Sequence, residues 1–146
     1  MRTRDLSFRR LRRDSAGSSA VEFALLAPVF LGLMFGVVEV GVYMQNYNAV
    51  RTLAGDAARF ATVQYQRNNQ VSETTLEDNI AVMGIASPYN LDSNRLTVDV
   101  NEVTPSPVDG ARQFDLDLSY ALPDIIQGTS IDNITITYSR QMFVLD

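Results

Sequence analysis

The sequence predicts an α+β chain: a long N-terminal helix, membrane-spanning in its first half, followed by a small antiparallel β-sheet domain with one short helix. Three observations predict this. Ala20 to Tyr43 is a run of 24 residues with no Arg or Lys. Beyond it, Val50, Leu53, Ala54, Ala57, Phe60 and Ala61 recur at three- and four-residue intervals, the period of a helix face. The C-terminal third then changes to strict alternation of apolar and polar residues, the period of a half-buried strand.

The first element is a basic leader. Arg2, Arg4, Arg9, Arg10, Arg12 and Arg13 stand against Asp5 and Asp14. The remaining chain holds six Arg and fifteen acids, a net charge of −9, so leader and body are different kinds of segment. The run from Ala20 to Tyr43 would extend about 36 Å as a helix, enough to cross a hydrocarbon core of about 30 Å. It exceeds a signal-peptide core of about 7–15 residues, and Tyr43-Met44-Gln45-Asn46-Tyr47 offers no small-residue cleavage site. A retained span is expected, with the arginines on the cytoplasmic side and the rest of the chain outside. No proline occurs between Val29 and Ser87, so one helix is expected from about Ser19 to about Gln66, on the order of 70 Å long. Its second half is amphipathic, with one face free to pack on a globular body.

Arg67-Asn68-Asn69-Gln70 breaks the pattern. Thr74 with Glu77 three residues on reads as a capping box, and Leu76, Ile80 and Met83 form the apolar stripe of a short helix closed by Ser87-Pro88. Three strands follow. Leu96, Val98 and Val100 mark the first; Phe114, Leu116, Leu118 and Tyr120 the second; Ile134, Ile136, Tyr138, Met142 and Val144 the third. The turn-rich Thr104–Gly110 and the stretch from Pro123 to Asn133 separate them. The expected organisation is therefore a leader over 1–17, a helix over 18–66 with its span at about 20–43, and an extracytoplasmic α+β domain over 67–146.

Composition restricts the chemistry. The chain has 146 residues, a net charge of −5, no Lys, no Cys and no His. It is not a polyanion-seeking nucleic-acid binder. It has no disulfide framework, and it lacks the commonest general base and metal ligand. No catalytic constellation, cofactor motif or metal-ligand spacing is present. Asp99, Asp115 and Asp117 read as the solvated face of the sheet, without the D-x-D-x-D-G spacing of a calcium loop. Asp56 and Arg59 read as a surface pair on the helix.

Two carboxylates, Glu22 and Glu39, lie within or beside the apolar run. An intramembrane carboxylate costs about 2.5–3.5 kcal/mol on insertion scales and by default has a partner. Cleavage between Gly17 and Ser18 would create one, a free amine on Ser18 near Glu22. Glu39 could reach the outer headgroups or meet a neighbouring helix. Gly32 and Gly36 have the small-xxx-small spacing that permits close helix approach. Pro28 either kinks the helix or is tolerated within it.

Gly17, Ser18-Ser19-Ala20-Val21 and Glu22-Phe23 before an apolar run resemble the processing site of type IV prepilins. Those precursors are cut after Gly by a membrane aspartic peptidase and share a Glu as the fifth mature residue. Ser19 to Val29, Phe35-Gly36-Val37-Val38-Glu39-Val40-Gly41 and Ala54-Gly55-Asp56-Ala57-Ala58-Arg59-Phe60-Ala61 are similar to TadE/TadG-like pseudopilins of the tight-adherence (Flp-type) pilus. Val40 stands where that family often has Phe after the acid, and Ala27 where it commonly has Leu before Pro28. The resemblance implies a non-catalytic minor pilin of the bacterial inner membrane, trimmed at Gly17–Ser18. Glu22 and Phe23 would set register, while Pro28, Gly32, Gly36 and Glu39 pack helices. Its implied partners are other pilins and pseudopilins, a prepilin peptidase, an assembly platform with its ATPase, and membrane lipid, with no nucleic acid and no cofactor. Size argues against the pilus shaft, whose subunits in this system are short. The alternative is a single-pass membrane protein with an extracytoplasmic binding domain that never polymerises.

Overall fold

The computed structural model describes residues 16–67, 69–123 and 134–145. The leader arginines Arg2 to Arg13 and most of the expected Pro123–Asn133 turn lie outside them. The described elements are α1 (Ala16–Gln66), α2 (Glu73–Ile85), β1 (Leu96–Val103), β2 (Ala111–Ala121) and β3 (Thr135–Leu145). The α+β expectation holds, with one long helix, one short helix and a three-stranded antiparallel sheet in the order β1-β2-β3.

The chain forms two units that divide after Gly41. In the first, α1 presents apolar side chains all round. Phe23, Leu25, Phe30, Leu33 and Val37 are each more than 60 % exposed. A helix apolar on every side belongs in lipid or among other helices. By length and composition α1 is apolar enough and long enough to cross a membrane once.

In the second unit, from Val42 onward, α1 becomes one-sided. Val50, Leu53, Ala54, Ala57, Ala61 and Tyr65 are buried in one core with Leu76 and Ile80 of α2. Three alanines in that stripe add little side-chain bulk between helix and sheet. The strands supply the other side of the core. Register pairs Val98 with Leu118 and Val100 with Leu116. It pairs Leu118 with Tyr138, Phe114 with Met142 and Tyr120 with Ile136. Alternation therefore puts one residue parity of all three strands on the core face.

Three local expectations change. The N-cap of α2 is Ser72, whose hydroxyl accepts from the Thr75 amide, so the cap sits two residues before the expected Thr74. Glu77 is thereby released from capping. Its Oε1 accepts instead from the Val100 amide at 3.0 Å, while Glu73, one turn earlier, accepts from the Glu102 amide. Two glutamates of α2 thus satisfy edge amides of β1. The third strand begins at Thr135, and Ile134 before it is 43 % exposed rather than part of the core.

Candidate functional site

The residues singled out in the N-terminal segment all lie on α1. Gly17 opens its second position, and an added Cβ there would meet nothing within 4 Å. The Ser18 hydroxyl donates to Glu22 Oε1 at 3.3 Å, one helical turn on. This contact joins a hydroxyl and a carboxylate of one helix, whereas the pairing raised from the sequence is between the Ser18 amine and Glu22. Phe23 is 74 % exposed beside them. Pro28 lies inside the helix and leaves the Ala24 carbonyl without its usual donor. Gly32 and Gly36 also meet nothing within 4 Å of an added Cβ, so their shallow slot is unfilled within the described chain. Glu39 is partly buried.

The second unit contains polar contacts that periodicity does not reveal. Arg112 grips Glu102 with two parallel hydrogen bonds, Nε to Oε1 at 2.7 Å and Nη2 to Oε2 at 2.6 Å. Its Nη1 donates to the Tyr65 hydroxyl at 3.0 Å. The guanidinium lies 5.4 Å from the Tyr65 ring centroid and 5.2 Å from that of Phe114. Tyr65 donates in turn to the Val71 carbonyl. This cluster ties the end of α1 to the β1–β2 hairpin and to the segment entering α2. The hydrogen bonds from Arg112 hold the Glu102 carboxyl below its usual range. Partial burial opposes them, and the guanidinium charge adds to them.

That shift has a sign. A carboxylate depressed in the fold stabilises it above the unfolded value, about 4.3 for Glu, and loses that contribution as pH falls through the lower folded value. Urea unfolding of the full chain in detergent is expected to show a steeper acid decline for wild type than for Glu102→Gln, which has no charge to lose. Parallel acid limbs would remove Glu102 from the pH dependence.

Asp56 accepts a short hydrogen bond from the Tyr89 hydroxyl. It is not paired with Arg59: no such ion pair occurs among the described residues. Helix spacing made that pair possible, but the phenol beside it offers a donor from a more buried position. Desolvation first, then the bond to Asp56 and its charge, push the Tyr89 phenol up to about 12. Asp99, Asp115 and Asp117 lie on the sheet face opposite the core, as expected. No group of three metal-ligating side chains occurs among the described residues.

Residues 17–59 match the family model described as TadE-like protein. This is a TadE-like segment. It takes in Gly17, the apolar run, both glutamates and the block through Arg59, and it bears out the resemblance read from the sequence. The matched family is one of pilin-like structural proteins of the Tad system. The TadE-like match ends before α2 and the sheet. No curated protein and no solved structure matches the chain.

Proposed function

We propose that the chain is a minor pilin or pseudopilin, a structural subunit or initiator of tight-adherence pilus assembly. The observation that carries this reading is the TadE-like match over residues 17–59, which takes in Gly17, Ser18 and Glu22 at the head of the exposed, apolar first part of α1. Cutting after Gly17 would place a cationic amine one turn from a carboxylate. In a low-dielectric helix bundle, that amine and the Glu22 of a neighbour would form a pair that rewards one axial register. Phe23 beside it would fill the adjoining contact. Gly32 and Gly36 would let a second helix approach closely, with Pro28 and Glu39 in the same packing surface. A prepilin peptidase would remove residues 1–17, and an assembly platform with its ATPase would extract the mature chain from the lipid.

Intact-mass analysis of the membrane-extracted protein tests the first step. The mature species is expected to begin at Ser18. A chain that still carries Met1 to Gly17 would contradict the reading.

Six arginines before the span support a cytoplasmic N-terminus in this proposal, with the α+β domain in the periplasm or on the surface. Protease added to spheroplasts should digest a C-terminal tag. A tag protected until the membrane is broken reverses the orientation.

A further inference from the structure

Away from the β1–β2 turn, where Gln113 is buried, the second face of the sheet has no partner among the described elements, and it is acidic. Asp99 of β1 stands directly opposite Asp117 of β2, and Asp115 lies two residues from Asp117 on the same face. Like charges directly opposite destabilise a sheet. The described contacts relieve this only with neutral donors: Gln113 donates to Asp115, and Ser139 to Asp117. No Arg stands at this parity of any strand. Phe143, 45 % exposed, lies toward one end of the same face.

A basic surface lies on the flank of α1 beside β3. An added Cβ on Gly55 would come within 3.8 Å of Arg140 Nη1, so the guanidinium of β3 lies over that glycine. Arg51 and Arg59 are one turn before and one turn after Gly55, and share its side of the helix. All three arginines are exposed. Among the described residues the ion pairs are Arg95 with Asp92 and Arg112 with Glu102, and neither involves this trio. Arg51 and Arg59 are separated by about 12 Å along the helix. The three aspartates spread over about 5 Å across the strands and about 7 Å along them, within reach of arginine side chains converging from such a row.

We propose that the open sheet face, through Asp99, Asp115 and Asp117, docks on the Arg51–Arg59–Arg140 surface of a second copy of this chain. The two surfaces have opposite charge and lie on different sides of one unit. Their contact is therefore heterologous, leaves one surface of each kind free, and repeats from copy to copy. Anionic lipid headgroups would account for the arginines alone. A second copy accounts for the arginines and for the opposed aspartates together. The contact rests on the assembly reading above only in requiring copies held side by side in one membrane, where tethering raises their effective concentration.

A charge swap in the full-length chain tests it. Two differently tagged copies are reconstituted together in lipid nanodiscs and co-purified. Wild-type copies should associate. Asp99→Arg with Asp117→Arg on both copies should abolish co-purification, as should Arg51→Glu with Arg59→Glu and Arg140→Glu. A chain carrying both sets should associate again with itself and not with wild type. That recovery also shows that the substitutions leave the fold intact. The milder Asp99→Asn with Asp117→Asn should give an intermediate loss.

Failure of wild-type copies to associate would overturn the proposal, as would association unchanged by either reversal. So would a result in which the arginine reversal abolishes adsorption to anionic-lipid vesicles and leaves copy–copy association intact, because headgroups would then be what the arginines hold. The assembly reading falls separately. If the chain is still recovered with other pilins while the swap has no effect, only the docking of copies is wrong.

Discussion

Glu22→Ala is expected to insert and be cleaved as wild type, yet fail to join an assembly. Removing the carboxylate makes the span more apolar, so insertion does not suffer. Cleavage persists because the peptidase of this reading acts after Gly17, which the substitution leaves in place. What is lost is the partner of the Ser18 amine. Breaking one side of a buried charge pair costs about 3–5 kcal/mol. Even a partly hydrated pair that forfeits 1.4 kcal/mol lowers incorporation about tenfold. Glu22→Asp should fall between the two, since the charge remains and its reach shortens by one methylene. The quantity to measure is the cleaved protein cross-linked to partner pilins, relative to cleaved protein in the membrane. Equal ratios for Glu22→Ala and wild type would make the carboxylate a passenger that merely reaches the headgroups.

Phe114→Ala is expected to give the largest loss of stability in the second unit, about 3–5 kcal/mol. Phe114 is fully buried, and its ring meets Tyr65 at 5.9 Å between centroids with a tilt of 52°. It also forms one of the two aromatic surfaces against the Arg112 guanidinium. Truncation would open a cavity and loosen the contact that joins α1 to the β1–β2 hairpin. Against a domain stability of about 5–15 kcal/mol, that is a large fraction. Phe114→Leu, which keeps most of the volume, should lose less than about 1.5 kcal/mol. Urea midpoints of the detergent-solubilised full chain, read by tyrosine circular dichroism, distinguish the two. If the alanine variant unfolds within about 1 kcal/mol of wild type, Phe114 does not anchor the core as its burial implies.

The parts of this fold that were legible in the sequence are those set by local period. The α1 helix showed itself twice, by an uninterrupted apolar run and then by the Val50–Ala61 stripe. The strands showed themselves because one face is buried and the other wet, so Leu116 and Leu118 alternate with Asp115 and Asp117. Contacts between distant residues were not legible. Asp56 finds Tyr89 33 positions away, and Arg112 finds Tyr65 at a distance of 47. The cap of α2 was misplaced because Ser72, Thr74 and Thr75 are all competent caps within four positions, and Glu77 completes a capping pattern with Thr74 while serving β1. Its spacing with Glu73, one turn earlier, was the available clue that both point to one neighbour. Arg140 falls at a core-face position by alternation and yet is exposed, since Gly55 leaves room for its guanidinium beside the helix. For the candidate site, Gly17, Ser18 and Glu22 were legible as a spacing. Only the structure brought the Ser18 hydroxyl and the Glu22 carboxylate into hydrogen-bond contact.

The central claim is that this chain is processed and then leaves the lipid as part of an assembly. Mass spectrometry of surface material sheared from cells, with and without the assembly ATPase, tests it most directly. The account predicts a species beginning at Ser18 in the sheared fraction together with other pilins, and its confinement to the membrane when the ATPase is absent. A chain found only in the membrane in both backgrounds, with Met1 to Gly17 still attached, would contradict it.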